Sequence, residues 1–216
     1  QIGDRAGEAR RLTTLSLWAI EDEDFETAQT WLAQSRALCE ELGEQDRLSY
    51  VLTTQGTLHI FLMNLAQAQA TLEHSLQVHH IIRDYKGVVD LHGLLGRIHL
   101  LQNNLTEARQ TIVEGIEIGA KEYAIPTIIL IAYANYRWQS RETLASCVSI
   151  TATLAQQALN TYYLTAPIVR RYFLQPLIYR VQQYIGDEAW QQALEQSRNV
   201  TIEQRFQDIV AAVLPE

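Results

Sequence analysis

At 216 residues the chain is long enough for one domain or a short array with a sizeable core. Its 17 Lys and Arg against 25 Asp and Glu leave a formal charge of −8, which argues against direct contact with nucleic acid or an anionic membrane. Two cysteines, Cys39 and Cys147, stand far apart in apolar helical patterns and read as buried free thiols of a reducing compartment, without zinc spacing around them.

The first residues, from Gln1, show no basic-then-apolar leader. The longest apolar stretch, around residues 125–136, falls short of the ~18–20 residues that span a bilayer. The expectation is a cytoplasmic piece of a longer polypeptide. A first helix carries Ser16, Trp18 and Ile20. The acidic run EDED (21–24) reads as a solvated junction, with Asp24 capping the helix that starts at Phe25 and carries Ala28, Leu32, Ser35 and Leu38.

The same grammar returns forty positions later. NLAQAQATLEHSL (64–76) repeats the second helix as Leu65, Ala68, Leu72, Ser75 and Val78, and NLTEARQTIVEGI (104–116) repeats it again as Leu105, Ala108, Ile112, Gly115 and Ile118. Ahead of these, Gly56, Leu58 and Ile60, then Gly96, Ile98 and Leu100, repeat Ser16, Trp18 and Ile20. Asn64 and Asn104 take the cap position of Asp24. A fixed period in this range signals stacked units, each a helix, a tight turn and a helix. Glycine inside a helix costs up to ~1 kcal/mol against alanine, and close approach of two helices offsets that cost.

Pro126 suits the first turn of a helix running to residue 139, and residues 140–159 read as its partner in a fourth unit. Residues 160–186 form a long amphipathic stretch, with Thr165 as a cap, Pro167 near its start and a kink or break at Pro176. Gly186 stops it and Asp187 caps the next helix; Thr201 with Gln204 forms a capping box for the last one. The fold expected is all-α: a right-handed α-solenoid of about four hairpins over 1–160, closed by capping helices over 161–216.

The pairing of Gly56 with Ala68 and Leu72, and of Gly96 with Ala108 and Ile112, resembles the tetratricopeptide repeat (TPR). His59 and His99 stand where that family has Tyr, and Leu12, Leu52 and His92 replace its Trp. The tail, residues 185–214, resembles the C-terminal end of TPR arrays in bacterial LuxR-type and STAND transcriptional regulators. That resemblance implies a signal-transduction role, with an N-terminal nucleotide switch or DNA-binding domain in the parent protein.

Chemistry is sparse. No phosphate-binding glycine loop, no nucleophile elbow and no HExxH occurs, so neither an enzymatic role nor a cofactor is expected. His79 and His80 are adjacent, and His92 and His99 are seven apart with His59 in register with His99; none of this is chelating spacing. Trp18, Trp31, Trp138 and Trp190 fall on helix stripes and read as core. What remains is the inner face of the first helices. Arg10, Thr13 and Leu17, then Tyr50, Thr53, Thr57 and Phe61, then Asp90, Gly93, Arg97 and Leu101, and finally Tyr133 and Arg137, are candidates to line a groove for a protein or peptide partner. A free-standing adaptor or a peptide-pheromone receptor is the alternative to a regulator's sensor.

Overall fold

The computed structural model describes residues 4–124, 127–141, 144–160 and 170–214. Pro126, Thr165 and Pro167 lie outside them. The described residues are helical throughout, with no strand among them. The chain divides into two compact units, residues 1–91 and 92–216.

The first unit holds α1 (Arg5–Glu21), α2 (Phe25–Leu42), α3 (Gln45–Phe61), α4 (Leu65–Ile81) and the start of α5 (Tyr85–Leu101). Helix α1 packs on α2, α3 on α4, and α3 also meets α1 and α2. The core is the apolar stripe expected from the repeated pattern: Ala28, Leu32, Leu52, Leu58, Ala68 and Leu72 are fully buried. At the crossing of α3 and α4 the absence of a side chain at Gly56 is required, because a Cβ there would lie 2.5 Å from Leu72 Cδ2.

One turn design closes each helix from α1 to α6. Glu23, Gly43, Met63, Arg83, Asn103 and Tyr123, spaced by twenty residues, all take positive φ, between 53° and 69°. The following amide bonds back to the carbonyl five residues earlier, as in Asp24 to Ala19 (2.8 Å), Asn64 to His59 (2.9 Å) and Asn104 to His99 (2.9 Å). This is the Schellman arrangement, which satisfies carbonyls orphaned at a helix end. At the next N-terminus Asp24 accepts from the Thr27 amide as expected, whereas Asn64 and Asn104 hold the cap position without a side-chain bond. Asp84 Oδ1 accepts from the Gly87 amide at 3.0 Å.

Polar side chains form a seam inside each hairpin of the first unit. Thr13 Oγ1, Ser35 Oγ and the Ala9 carbonyl make a closed triangle with sides of 2.8, 2.7 and 2.9 Å. Thr53 Oγ1, Ser75 Oγ and the Ser49 carbonyl repeat it, with sides of 2.9, 3.1 and 2.9 Å. Each buried hydroxyl is thereby satisfied, which removes most of the cost of burying it.

The second unit continues α5 and adds α6 (Leu105–Lys121), α7 (Thr127–Ser140), α8 (Leu144–Asn160), a π-helical turn (Arg170–Leu174), α9 (Gln175–Ile185), α10 (Asp187–Ser197) and α11 (Ile202–Val213). At the positions of the seam it carries Gly93 and Gly115 instead of hydroxyls. A Cβ on Gly93 would lie 2.9 Å from the backbone of Ile128 and Ile129; one on Gly115 would lie 2.6 Å from His92 Cβ. Helices α5, α6 and α7 therefore meet at backbone distance. Helices α7 and α8 pair as the expected fourth hairpin.

The expected break at Pro176 appears as the π-helical turn giving way to α9, with Pro176 in the first turn of α9. Gly186, at φ 83°, ends α9 and is itself the N-cap of α10, so Asp187 is the first helical residue and not the cap. The Asp187 carboxylate accepts instead from Gln182 Nε2 at 2.8 Å. Thr201 caps α11 through the Gln204 amide at 3.1 Å. Helices α10 and α11 pack on α8, and α11 also reaches α6. Gln156 and Gln157 donate to the carbonyls of Leu194 and Val200, and Arg205 Nε donates to Thr153 Oγ1.

Candidate functional site

In the first unit the candidate residues separate into an open set and a committed set. Arg10 and Tyr50, register mates on α1 and α3, are exposed, and Phe61 and Asp90 are half-buried. Thr13 and Thr53 are held in the hydroxyl triangles, and Thr57 is buried with its hydroxyl donating to the Thr53 carbonyl at 2.7 Å. Leu17 is half-buried. Trp18, expected in the core, is 59% exposed beside it on α1, whereas Trp190 is buried. The stripe rule failed at Trp18, although its register mates Leu58 and Ile98 are fully buried.

His79 is a buried titratable group of this unit, 6% exposed. Its Nδ1 donates to Asp84 Oδ2 at 3.0 Å, and its Nε2 lies 3.4 Å from Thr53 Oγ1. Gly87 makes room for the pair, since a Cβ there would overlap the ring. Burial pushes the His79 pKa below its ordinary value, with the Asp84 carboxylate opposing that shift. Burial lowers His59 likewise.

The second unit gathers three of the candidates, Arg97, Tyr133 and Arg137, with residues the sequence did not single out. The Arg97 guanidinium lies 3.9 Å from the centre of the Phe173 ring, and that of Arg137 lies 5.8 Å from the Tyr133 ring. Arg180 of α9 donates from Nη2 to Asn135 Oδ1 at 2.6 Å, while Asn135 Nδ2 donates to the Ile131 carbonyl at 2.8 Å. Nε of Arg97 and of Arg137 is shut off from solvent. Burial, and then the positive charge of Arg180, hold the Arg97 pKa down to about 10. Burial also lowers Arg180. The Cys147 thiol is raised by burial, opposed first by its contact with Thr151 and then by the charges of Arg180 and Arg137. Gly93 is consumed by helix packing, and Leu101 is exposed.

A separate open groove of about 690 Å³ runs along α6 from Leu105 to Glu117 and is closed on one side by Tyr136 and Ser140. Among the described residues no helix is long and apolar enough to cross a membrane. No protein-family model matches the chain, and a search of curated proteins finds no match.

Proposed function

We propose that the chain is a TPR-like, right-handed helical solenoid serving as a protein- or peptide-binding module, the sensor or interaction part of a larger bacterial signal-transduction or transcription regulator. One observation carries the reading: Gly56 sits against Leu72 as Gly96 sits against Ile112, forty residues on, with close approaches of 2.5 and 2.6 Å for an added Cβ. Hairpins nested at matched depth form a scaffold whose first helices offer a repeated face for a partner. Arg10 and Tyr50 occupy matching exposed positions on that face. Tyrosine and arginine are side chains enriched at the energetic centres of interfaces.

Ligand binding would act by shifting a two-state equilibrium in an attached switch, which requires different affinities for its two states. A peptide-display selection on the intact chain, followed by calorimetry, tests the reading. Selected peptides should bind the wild type and lose at least about tenfold in affinity on Tyr50→Ala or Arg10→Ala, the size of a ~1.4 kcal/mol contact. Unchanged affinity in both variants would remove this face from the role. Regulation of an N-terminal domain by the same peptides separates the sensor from a free-standing adaptor.

A further inference from the structure

We infer that two corners of the first unit recognise each other across two copies of this chain: the cationic corner between α4 and α5, and the acidic corner between α1 and α2. In the cationic corner His80, Ile81, Arg83, Tyr85 and Lys86 are all exposed, Ile81 by 71%. Arg83 and Lys86 have no ion-pair partner among the described residues. The carboxylate between them, Asp84, is taken up by the His79 ring and the Gly87 amide. The acidic corner carries Asp22 and Glu26, both exposed, with exposed Trp18 one turn before Asp22 on α1. No Lys or Arg occurs from residue 12 to residue 35. A tryptophan beside carboxylates attracts a cation through its ring face as well as through charge.

The fold keeps the two corners apart. Helices α1 and α2 run antiparallel, with Arg5 bonded to Glu41 and Thr13 to Ser35, and so do α3 and α4, with Thr53 bonded to Ser75 and Gly56 against Leu72. The two residues Gly43 and Glu44 turn the chain back between α2 and α3. The acidic corner therefore stands at one end of these helices and the cationic corner at the other, about 25 Å away along helices of 17 residues. Salt screens charges at that separation, so they do not neutralise each other within one molecule. The other corner at the cationic end, between α2 and α3, is largely compensated already: Glu40 accepts from Arg36 at 2.7 Å, Glu41 from Arg5 at 2.6 Å, and Glu44 lies 4.0 Å from Arg47, with Asp46 exposed.

Two copies laid side by side and antiparallel bring each cationic corner onto the other's acidic corner, a closed two-fold pair in which both contacts form at once. Ile81 and Tyr85 then cover Trp18. An anionic membrane is the poorer occupant, because two cations stand against a net charge of −8. The inference is independent of the peptide-binding role, which rests on Arg10 and Tyr50.

The test is sedimentation equilibrium of the intact chain in about 0.05 M and about 0.5 M NaCl. Association is expected at the lower salt, with a dissociation constant at least about tenfold weaker at the higher. Arg83→Glu with Lys86→Glu, and Asp22→Lys with Glu26→Lys, should each leave a monomer. Mixed one to one, the two variants should pair again, because every contact then joins opposite charges. Trp18→Ala should weaken the pair without changing its salt dependence, and it decides the matter if a charge-reversed variant fails to fold. A wild type that stays monomeric at low salt, or association that both charge-reversed variants keep, overturns the pairing and leaves the peptide-binding reading standing. Binding of an oligoglutamate peptide or of phosphatidylserine vesicles by a monomeric wild type overturns it too, and gives the cationic corner a different occupant.

Discussion

Where the first unit sets Thr13 against Ser35 and Thr53 against Ser75, the second sets Gly93 and Gly115. The first fills the space between paired helices with hydroxyls whose protons are all spoken for. The second leaves the space empty and lets α7 press its backbone into it. A polar seam tolerates small shifts, because hydroxyls can turn to new acceptors, but it fails if one member is removed. A glycine seam contains nothing that can be left unsatisfied, yet it has no slack for an added atom.

Substitutions can break this contrast, and the largest effect is expected from moving the first design into the second. Gly93→Thr places a branched side chain 2.9 Å from the Ile128–Ile129 backbone, which cannot rotate away. A loss of about 3 kcal/mol or more is expected in chemical denaturation, and a change under ~0.5 kcal/mol would show that α7 does not sit there. Gly56→Leu meets a side chain, Leu72, and should cost about 1–3 kcal/mol even though leucine favours a helix more than glycine does.

Smaller effects sharpen the comparison. Ser75→Ala opens the triangle and should cost about 1 kcal/mol. Thr53→Val with Ser75→Ala removes both hydroxyls, so the double variant should lose less than the sum of the singles. Strict additivity in a double-mutant cycle would mean that the hydroxyls act independently.

The smallest effect is a dependence on pH. The folded pKa of His79 lies below its unfolded value, so the unfolded chain binds the proton more readily. Its contribution is complete above the unfolded pKa of about 6.5 and is lost as pH falls from there through the folded value. His79→Gln should flatten the fall in melting temperature below that point. An unchanged slope would assign the acid sensitivity to other groups.

The helical hairpins were legible because close helix crossings demand small residues, and Gly56, Ala68, Gly96 and Ala108 record that demand directly in the sequence. The direction of Thr13 and Thr53 was not, because a forty-residue offset shows which positions are equivalent without showing how each helix is rotated. The triangle left a readable trace all the same: a Thr and a Ser twenty-two apart, present twice and replaced together by glycines the third time. Only Arg97, Tyr133 and Arg137 of the second unit's polar and aromatic contacts could be picked out in advance. Asn135 and Arg180 are forty-five residues apart, Phe173 lies within the π-helical turn, and no periodic pattern connects the three.

The helix ends carry a consequence of their own. Of the six left-handed positions that close α1 to α6 only Gly43 is a glycine, while Glu23, Met63, Arg83, Asn103 and Tyr123 hold a conformation that a Cβ disfavours by roughly 1–2 kcal/mol. Tyr123 stands 90% exposed and Met63 60% exposed at such tips. Exchanging either for glycine should relieve local strain with almost no loss of contacts. These joints are therefore places where the polypeptide can be made hardier without altering any surface proposed to recognise a partner.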